Sequence, residues 1–218
     1  MKDQNLIFTR ASIFSEGSKY CSFGNVVPKD DDIFLEYIDG IWGHDIPGTV
    51  ILDYFNQADY WGNNGDQRDE CGLNPHENAF YNNVLQKIDS QIVEQGFAVI
   101  TAFSDLRDNY GTNEYLLDVV SHETLHAQYF LNEKIRNAVK KYWVEVLTAQ
   151  EHQSVKDAMR DFYDVTNEYL VLNEFLAYMG AYGDPRSYVG SLVGQHKEHF
   201  LRYVEKKSGA DLFEFPEM

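Results

Sequence analysis

The chain has 218 residues, and 44% of them are hydrophobic and 15% aromatic, which is enough for a packed core. Its 18 Lys and Arg residues face 35 Asp and Glu residues, and the net charge of −17 excludes a surface that binds nucleic-acid phosphates. No apolar run approaches the roughly 18 residues of a membrane helix, and no signal peptide is visible. We therefore expect a soluble globular protein with neither membrane nor nucleic-acid partners, whose compartment and oligomeric state stay open.

Short β-like apolar runs characterise the first part of the chain, at residues 6–14, 33–42, 49–55 and 96–103. Between the last two runs, a helix is predicted to begin near Pro75 and to end at Gly96. Its apolar face would consist of Val84, Ile88, Ile92 and Val93.

After Gly111 the pattern becomes helical, with breaks near Gly180 and Gly209. Strands followed by helices predict an α+β fold. No repeat or low-complexity linker separates the parts, so we expect one domain over residues 1–218, strand-rich over 1–110 and helical over 111–218. The two cysteines are too few for a disulfide framework or a zinc ribbon.

The segment VVSHETLHAQYF, residues 119–130, lies in a predicted helix of about twenty residues that Thr112 or Asn113 would cap. At about 100° per residue, Glu123 falls within the apolar stripe of this helix. His122 and His126 are one turn apart on the flank of that stripe. Three ionisable groups are therefore predicted at the edge of a buried face.

A buried carboxylate and two buried imidazoles need partners, since burying them alone would cost several kcal/mol. Two imidazoles one turn apart on a helix can bind one Zn²⁺, with the intervening Glu directed at a water molecule. HETLH therefore predicts a zinc site with ligands His122 and His126. The alternative is a pair of core histidines beside a surface glutamate.

A catalytic zinc site needs a third protein ligand, and the HExxHxxGxxH spacing that would supply it is absent. Glu174 is the strongest candidate, because apolar residues surround it one turn away on each side of a later predicted helix. That helix would be capped by Thr166 or Asn167. Glu168 points elsewhere on the same helix and suits its first turn. The remaining carboxylate candidates are Glu151, Asp161 and Asp164.

Two further roles have sequence candidates. Asp118 precedes His122 by one turn and is either its hydrogen-bond partner or a solvent-exposed carboxylate. A donor to a tetrahedral oxyanion would come from a residue after Glu174, and spacing singles out none of Tyr178, Tyr182, Tyr188 and His196. We select Tyr182, with His196 as the second choice.

HETLH followed by NEFLAY at residues 173–178 resembles the zinc metallopeptidases called gluzincins, over roughly residues 96–182. The resemblance implies a zincin-like domain with a mixed sheet over the active-site helix. It also implies His122, His126 and Glu174 as zinc ligands, with Glu123 as general base. Well-known members carry an Asp four residues after the glutamate ligand to orient a histidine, whereas this chain carries Tyr178.

These observations predict a zinc-dependent hydrolase of peptide or amide bonds, in which Glu123 takes a proton from water and returns it to the leaving amine. The substrate would be a polypeptide or a peptide. Two alternatives stay open at this point. One is a zinc-binding module without turnover that binds a partner, and the other is an aminopeptidase or small-amide deacylase on the same scaffold.

Overall fold

A computed structural model of the chain describes residues 43–63, 73, 75–102, 114–161, 163–181 and 196–212. The chain forms two compact units, Met1–Asp105 and Leu106–Met218. The described part of the first contains strand β1 (Gly43–Pro47), helices α1 (Gly48–Asn63), α2 (Pro75–Asn83) and α3 (Ser90–Gln95), and strand β2 (Ala98–Ala102). The second contains helices α4 (Glu114–Leu131), α5 (Glu133–Val146), α6 (Ala149–Met159), α7 (Glu168–Gly180) and α8 (Lys197–Ser208).

In the first unit, β1 and β2 pair antiparallel, with Ile46 opposite Val99. Helix α1 follows β1 directly, and the Gly48 N–H donates to the Phe97 carbonyl at 2.6 Å. A Cβ atom at Gly48 would lie only 2.6 Å from the same oxygen, so this junction needs glycine. Strand β2 confirms the strand predicted over residues 96–103. The unit's buried core consists of Ile46, Ile51, Tyr54, Phe55, Tyr81 and Leu85.

The strand predicted over residues 49–55 is wrong, because this segment is the first half of α1. Ile51, Tyr54 and Phe55 are spaced three and four residues apart, and all three are fully buried. That spacing puts them on one helical face. A short apolar run fits a strand or a helix equally well on periodicity alone, and here the polar residues after Phe55 continue the helix.

The helix predicted from Pro75 to Gly96 starts and stops as expected but is interrupted. α2 ends at Asn83, a 3-10 turn covers Leu85–Lys87, and α3 starts at Ser90. The Asp89 side chain accepts from the Gln91 N–H at 2.8 Å, which caps a new helix and competes with a continuous one. The predicted apolar face is also wrong, since most of it is exposed and the buried residues here are instead Glu77, Tyr81 and Leu85.

In the second unit, α7 packs along α4, and α8 packs along α5. The core around α7 includes the fully buried Phe175 and Leu176. Asn167 caps α7 by accepting from the Leu170 N–H at 3.3 Å, as one of the two predicted caps. α8 ends at Gly209, whose φ of 69° is left-handed, and this confirms the predicted break there.

The end of α4 is held by α5. Arg136 donates to the carbonyl oxygens of Tyr129 and Phe130 at 2.8 and 2.7 Å, which satisfies two carbonyls of the last turn of α4. Asn132 caps α5 by accepting from the N–H groups of Lys134 and Ile135. The helix that carries HETLH therefore has a fixed C-terminal end.

Helices α4 and α7 approach each other closely at Gly180. A Cβ atom there would lie 2.1 Å from Cδ1 of Leu125 and 3.2 Å from its Cγ. Leu125 is fully buried on α4, between the two histidines of HETLH, so its side chain has little room to move. The absence of a side chain at Gly180 therefore lets α7 lie against the segment of α4 that carries the motif.

Gly180→Ala is expected to lower the free energy of unfolding by about 1–3 kcal/mol, the usual cost of overpacking a core. The helix-propensity gain of up to about 1 kcal/mol is smaller, because Gly180 is the last residue of α7. Urea denaturation measures the change. Combining Gly180→Ala with Leu125→Ala should cost less than the two changes summed, since the truncated leucine makes room for the methyl group. A single variant as stable as the wild type would contradict this close approach.

The described residues are mostly helical and contain a two-stranded antiparallel sheet, which is an α+β composition. The larger mixed sheet and the single domain over residues 1–218 stay predictions. In the described part of the chain, no helix combines the length and the apolar character needed to cross a bilayer.

Candidate metal centre

Helix α4 places His122 and His126 on one side, one turn apart. Their Nε2 atoms lie 3.1 Å from each other, and the rings are nearly perpendicular, with centroids 4.7 Å apart. The His126 side chain is 3% exposed and that of His122 is 20% exposed. One imidazole is thus enclosed by protein, and the other borders solvent.

Helix α7 brings Glu174 to the same point. Its Oε2 atom lies 3.8 Å from Nε2 of His122 and 3.7 Å from Nε2 of His126, and its side chain is 8% exposed. The close packing of α4 and α7 determines this convergence, because Glu174 lies within a buried run from Val171 to Ala177. The structure therefore brings together the three residues that the sequence predicted as metal ligands.

The three atoms fit a zinc ion. The circle through them has a radius of about 2.1 Å, which matches zinc–nitrogen and zinc–carboxylate distances. Two unprotonated Nε2 atoms at 3.1 Å would repel each other unless a proton or a cation lies between them. Most of the His122 side chain is nevertheless covered by protein, and this burial, followed by the neighbouring His126, holds the pKa of His122 well below its ordinary value. This imidazole is therefore neutral at pH 7, as a metal ligand must be.

Glu123 is buried beside this cluster, at 8% exposure. One of its carboxylate oxygens lies within 4.8 Å of a ring nitrogen of His126. Burial first, and then the negative charges of Glu174 and Glu123, raise the pKa of Tyr178. Glu123 is therefore close to His126, one of the candidate ligands, and its charge acts on a phenol of α7.

Two tyrosines line the cluster. The Tyr178 ring packs edge-on against the His122 ring, with centroids 5.0 Å apart, and its hydroxyl lies 3.3 Å from that of Tyr163. The Tyr163 phenol also interacts electrostatically with the Glu174 carboxylate. Burial first, and then the charge of Glu174, raise the pKa of Tyr163, so its phenol stays protonated and keeps a hydrogen that it can donate.

Tyr163 was not among the site residues predicted from the sequence. It lies in the bend between α6 and α7, where its N–H donates to the Met159 carbonyl at 2.9 Å. No helical or strand spacing relates this residue to HETLH. Tyr178, which was among the candidates, lies one turn after Glu174 on the same helix.

The other carboxylates considered as ligands have different partners. Glu168 is exposed, and its Oε1 lies 2.9 Å from Nζ of Lys140. Glu151 completes a capping box with Thr148 at the start of α6. Asp164 accepts from the N–H and the hydroxyl of Thr166. Asp161 is exposed. None of these four belongs to the group of potential ligands that includes Glu174, among the residues that the structure describes.

The remaining predicted residues are Tyr182, Tyr188, His196 and Asp118. Tyr182 and Tyr188 lie outside the described residues, so the proposed oxyanion donor Tyr182 stays a prediction. His196 immediately precedes α8, and its Nε2 lies 2.8 Å from Oε1 of Glu151. Asp118 is half-buried on α4, and its charge opposes the lowering of the Lys197 pKa by burial.

The residues of the chain are the only basis for assigning it a function, because comparisons with known proteins found no match. No family model, no curated protein and no solved structure matches this chain.

Proposed function

We propose that this chain is a zinc-dependent hydrolase that cleaves peptide bonds, with His122, His126 and Glu174 holding the metal in a zincin-like site. The convergence of two imidazole nitrogens and one carboxylate oxygen, at 3.1, 3.7 and 3.8 Å from one another, is the observation that carries the proposal. Three protein ligands of this kind leave a fourth coordination position open, which is typical of catalytic rather than structural zinc sites.

The position of Glu123 beside His126 supports catalysis more than simple metal storage. A zinc ion bound there would polarise a carbonyl group and lower the pKa of water. Glu123 lies beside His126 but is offset by about 100° from His122 around the helix, so it would face the substrate side of the site. There it would accept a proton from water and return it to the leaving amine nitrogen.

The buried position of Glu123 suits both proton transfers. Burial of Glu123 keeps bulk water away from its carboxylate, so a proton taken from the attacking water would be retained within the site. A group that takes a proton and returns it during one turnover benefits from this enclosure. In this proposal the histidines and Glu174 hold the metal, and only Glu123 moves a proton.

Hydrolysis of a casein-like protein or a broad peptide library tests the proposal. The wild type is expected to cleave at least one substrate, to lose that activity in a strong chelator and to regain it on addition of Zn²⁺. Mass spectrometry of the products identifies a cleaved amide bond. If zinc-loaded protein cleaves no member of the library, the proposed hydrolase is wrong, and the alternative of a zinc-binding module that binds a partner becomes the better account.

A further inference from the structure

Tyr163 and Tyr178 connect the bend before α7 to the candidate metal centre. Their hydroxyl oxygens lie 3.3 Å apart, and both side chains pack against the main core of the second unit. The Tyr178 ring contacts the ring of His122, and the Tyr163 phenol interacts electrostatically with Glu174. The pair therefore interacts with two of the three candidate ligands, one from each helix.

We propose that Tyr163 and Tyr178 are positioning residues that fix the Glu174 carboxylate and the His122 ring in the geometry that a metal ion needs. The inference rests on the proposed metal site. It goes beyond that site by assigning the support of its ligands to a pair of phenols.

The Glu174 carboxylate needs such support. Its Oε2 atom faces both histidines, so the orientation of the carboxylate about its last torsion angle decides whether this oxygen reaches the metal. The protonated Tyr163 phenol, held by Tyr178, favours one orientation of the carboxylate and offsets part of the cost of burying the charge.

The His122 ring needs support for a different reason. It borders solvent, whereas His126 is enclosed, so fewer neighbours restrict its rotation. The edge-on contact with the Tyr178 ring limits that rotation, and the Tyr163 hydroxyl holds Tyr178 in turn. The two phenols thus act as one unit, in which the loss of either hydroxyl loosens the pair.

Zinc affinity and the visible absorption of bound Co²⁺ test this inference without any need for catalysis. Tyr163→Phe and Tyr178→Phe each remove one hydroxyl and keep the ring. Each is expected to raise the zinc dissociation constant about tenfold, as is usual for residues that support metal ligands, and to shift the Co²⁺ absorption. The double variant should bind zinc about as tightly as whichever single variant binds it less tightly, because the hydroxyls act through one another.

Tyr142→Phe is the matched control. Tyr142 is a fully buried phenol of the same unit, and its hydroxyl lies 3.1 Å from Nδ1 of His199, away from the three candidate ligands. This variant should lose stability as the other two do, but it should bind zinc and Co²⁺ like the wild type. Urea denaturation of each metal-free protein separates loss of stability from loss of metal affinity.

The outcomes distinguish this inference from the proposed function. If the wild type binds zinc and Tyr163→Phe matches it within twofold with an unchanged Co²⁺ spectrum, the positioning role is wrong and the metal site stands. An equal loss of affinity in Tyr142→Phe would also overturn the inference, because the effect would then be general. If the wild type binds no metal, both the site and this role are wrong.

Discussion

Glu123→Gln is expected to lower the rate of peptide hydrolysis at least about 100-fold, the usual loss when a general base is removed. Glutamine keeps the shape and polarity of the side chain but accepts no proton. Because Glu123 is not one of the three candidate ligands, the variant should still bind zinc with nearly wild-type affinity. Initial rates on the cleaved peptide, measured beside metal content, check both parts of this prediction.

Glu133→Gln is the matched control for the charge change. Glu133 is exposed in the first turn of α5, so its loss should leave the hydrolysis rate unchanged. A zinc-dependent activity that survives in Glu123→Gln would show that another group accepts the proton. Loss of zinc together with activity would instead indicate that Glu123 binds the metal.

Glu174→Gln and His126→Ala are expected to weaken zinc binding by more than the 10- to 100-fold that loss of a supporting residue costs. Each removes one of three protein ligands, and Glu174→Gln also removes the negative charge beside two imidazoles. The loss of affinity should abolish zinc-dependent hydrolysis. Competition with a chromophoric chelator measures the dissociation constants.

Glu168→Gln is the control for these variants, because Glu168 lies on the same helix and its loss changes the charge equally. Its side chain is 63% exposed and pairs with Lys140, so zinc affinity should stay at the wild-type value. An effect of Glu168→Gln equal to that of Glu174→Gln would mean that general electrostatics, and not ligation, governs the metal affinity.

The convergence of His122, His126 and Glu174 is the feature that was predicted best from the sequence. His122 and His126 are one turn apart on a single helix, so their relative position follows from helix geometry alone. Glu174 could be predicted as the third ligand because a carboxylate surrounded by apolar residues on a helix needs a partner. Local periodicity therefore indicated both elements, and the packing of α7 against α4 brings them together.

The features that could not be predicted from the sequence depend on tertiary contacts or on competition between two local structures. Tyr163 reaches Glu174 from a bend, and no periodic pattern relates such a residue to a helix. Residues 49–55 carry an apolar run that fits two periods, and burial of one helical face decided between them. The cap at Asp89 interrupted the helix after Pro75, although the apolar spacing there suggested continuity.

Tyr178 occupies the position at which well-known gluzincins, which the HETLH and NEFLAY segments resemble, carry an Asp. The phenol there contacts a histidine through its ring and reaches Glu174 through Tyr163. A neutral phenol would support the candidate ligands without adding a third negative charge near the carboxylates Glu123 and Glu174. We expect the departure to change how the ligands are held, while the three ligands themselves stay the same.

The metal content of wild-type protein purified without chelator tests the central claim most directly. The account predicts about one zinc ion per chain, removed by a strong chelator and taken up again on titration with Zn²⁺. Protein that carries no transition metal, and that binds none on titration, would contradict the assignment of His122, His126 and Glu174 as a metal site.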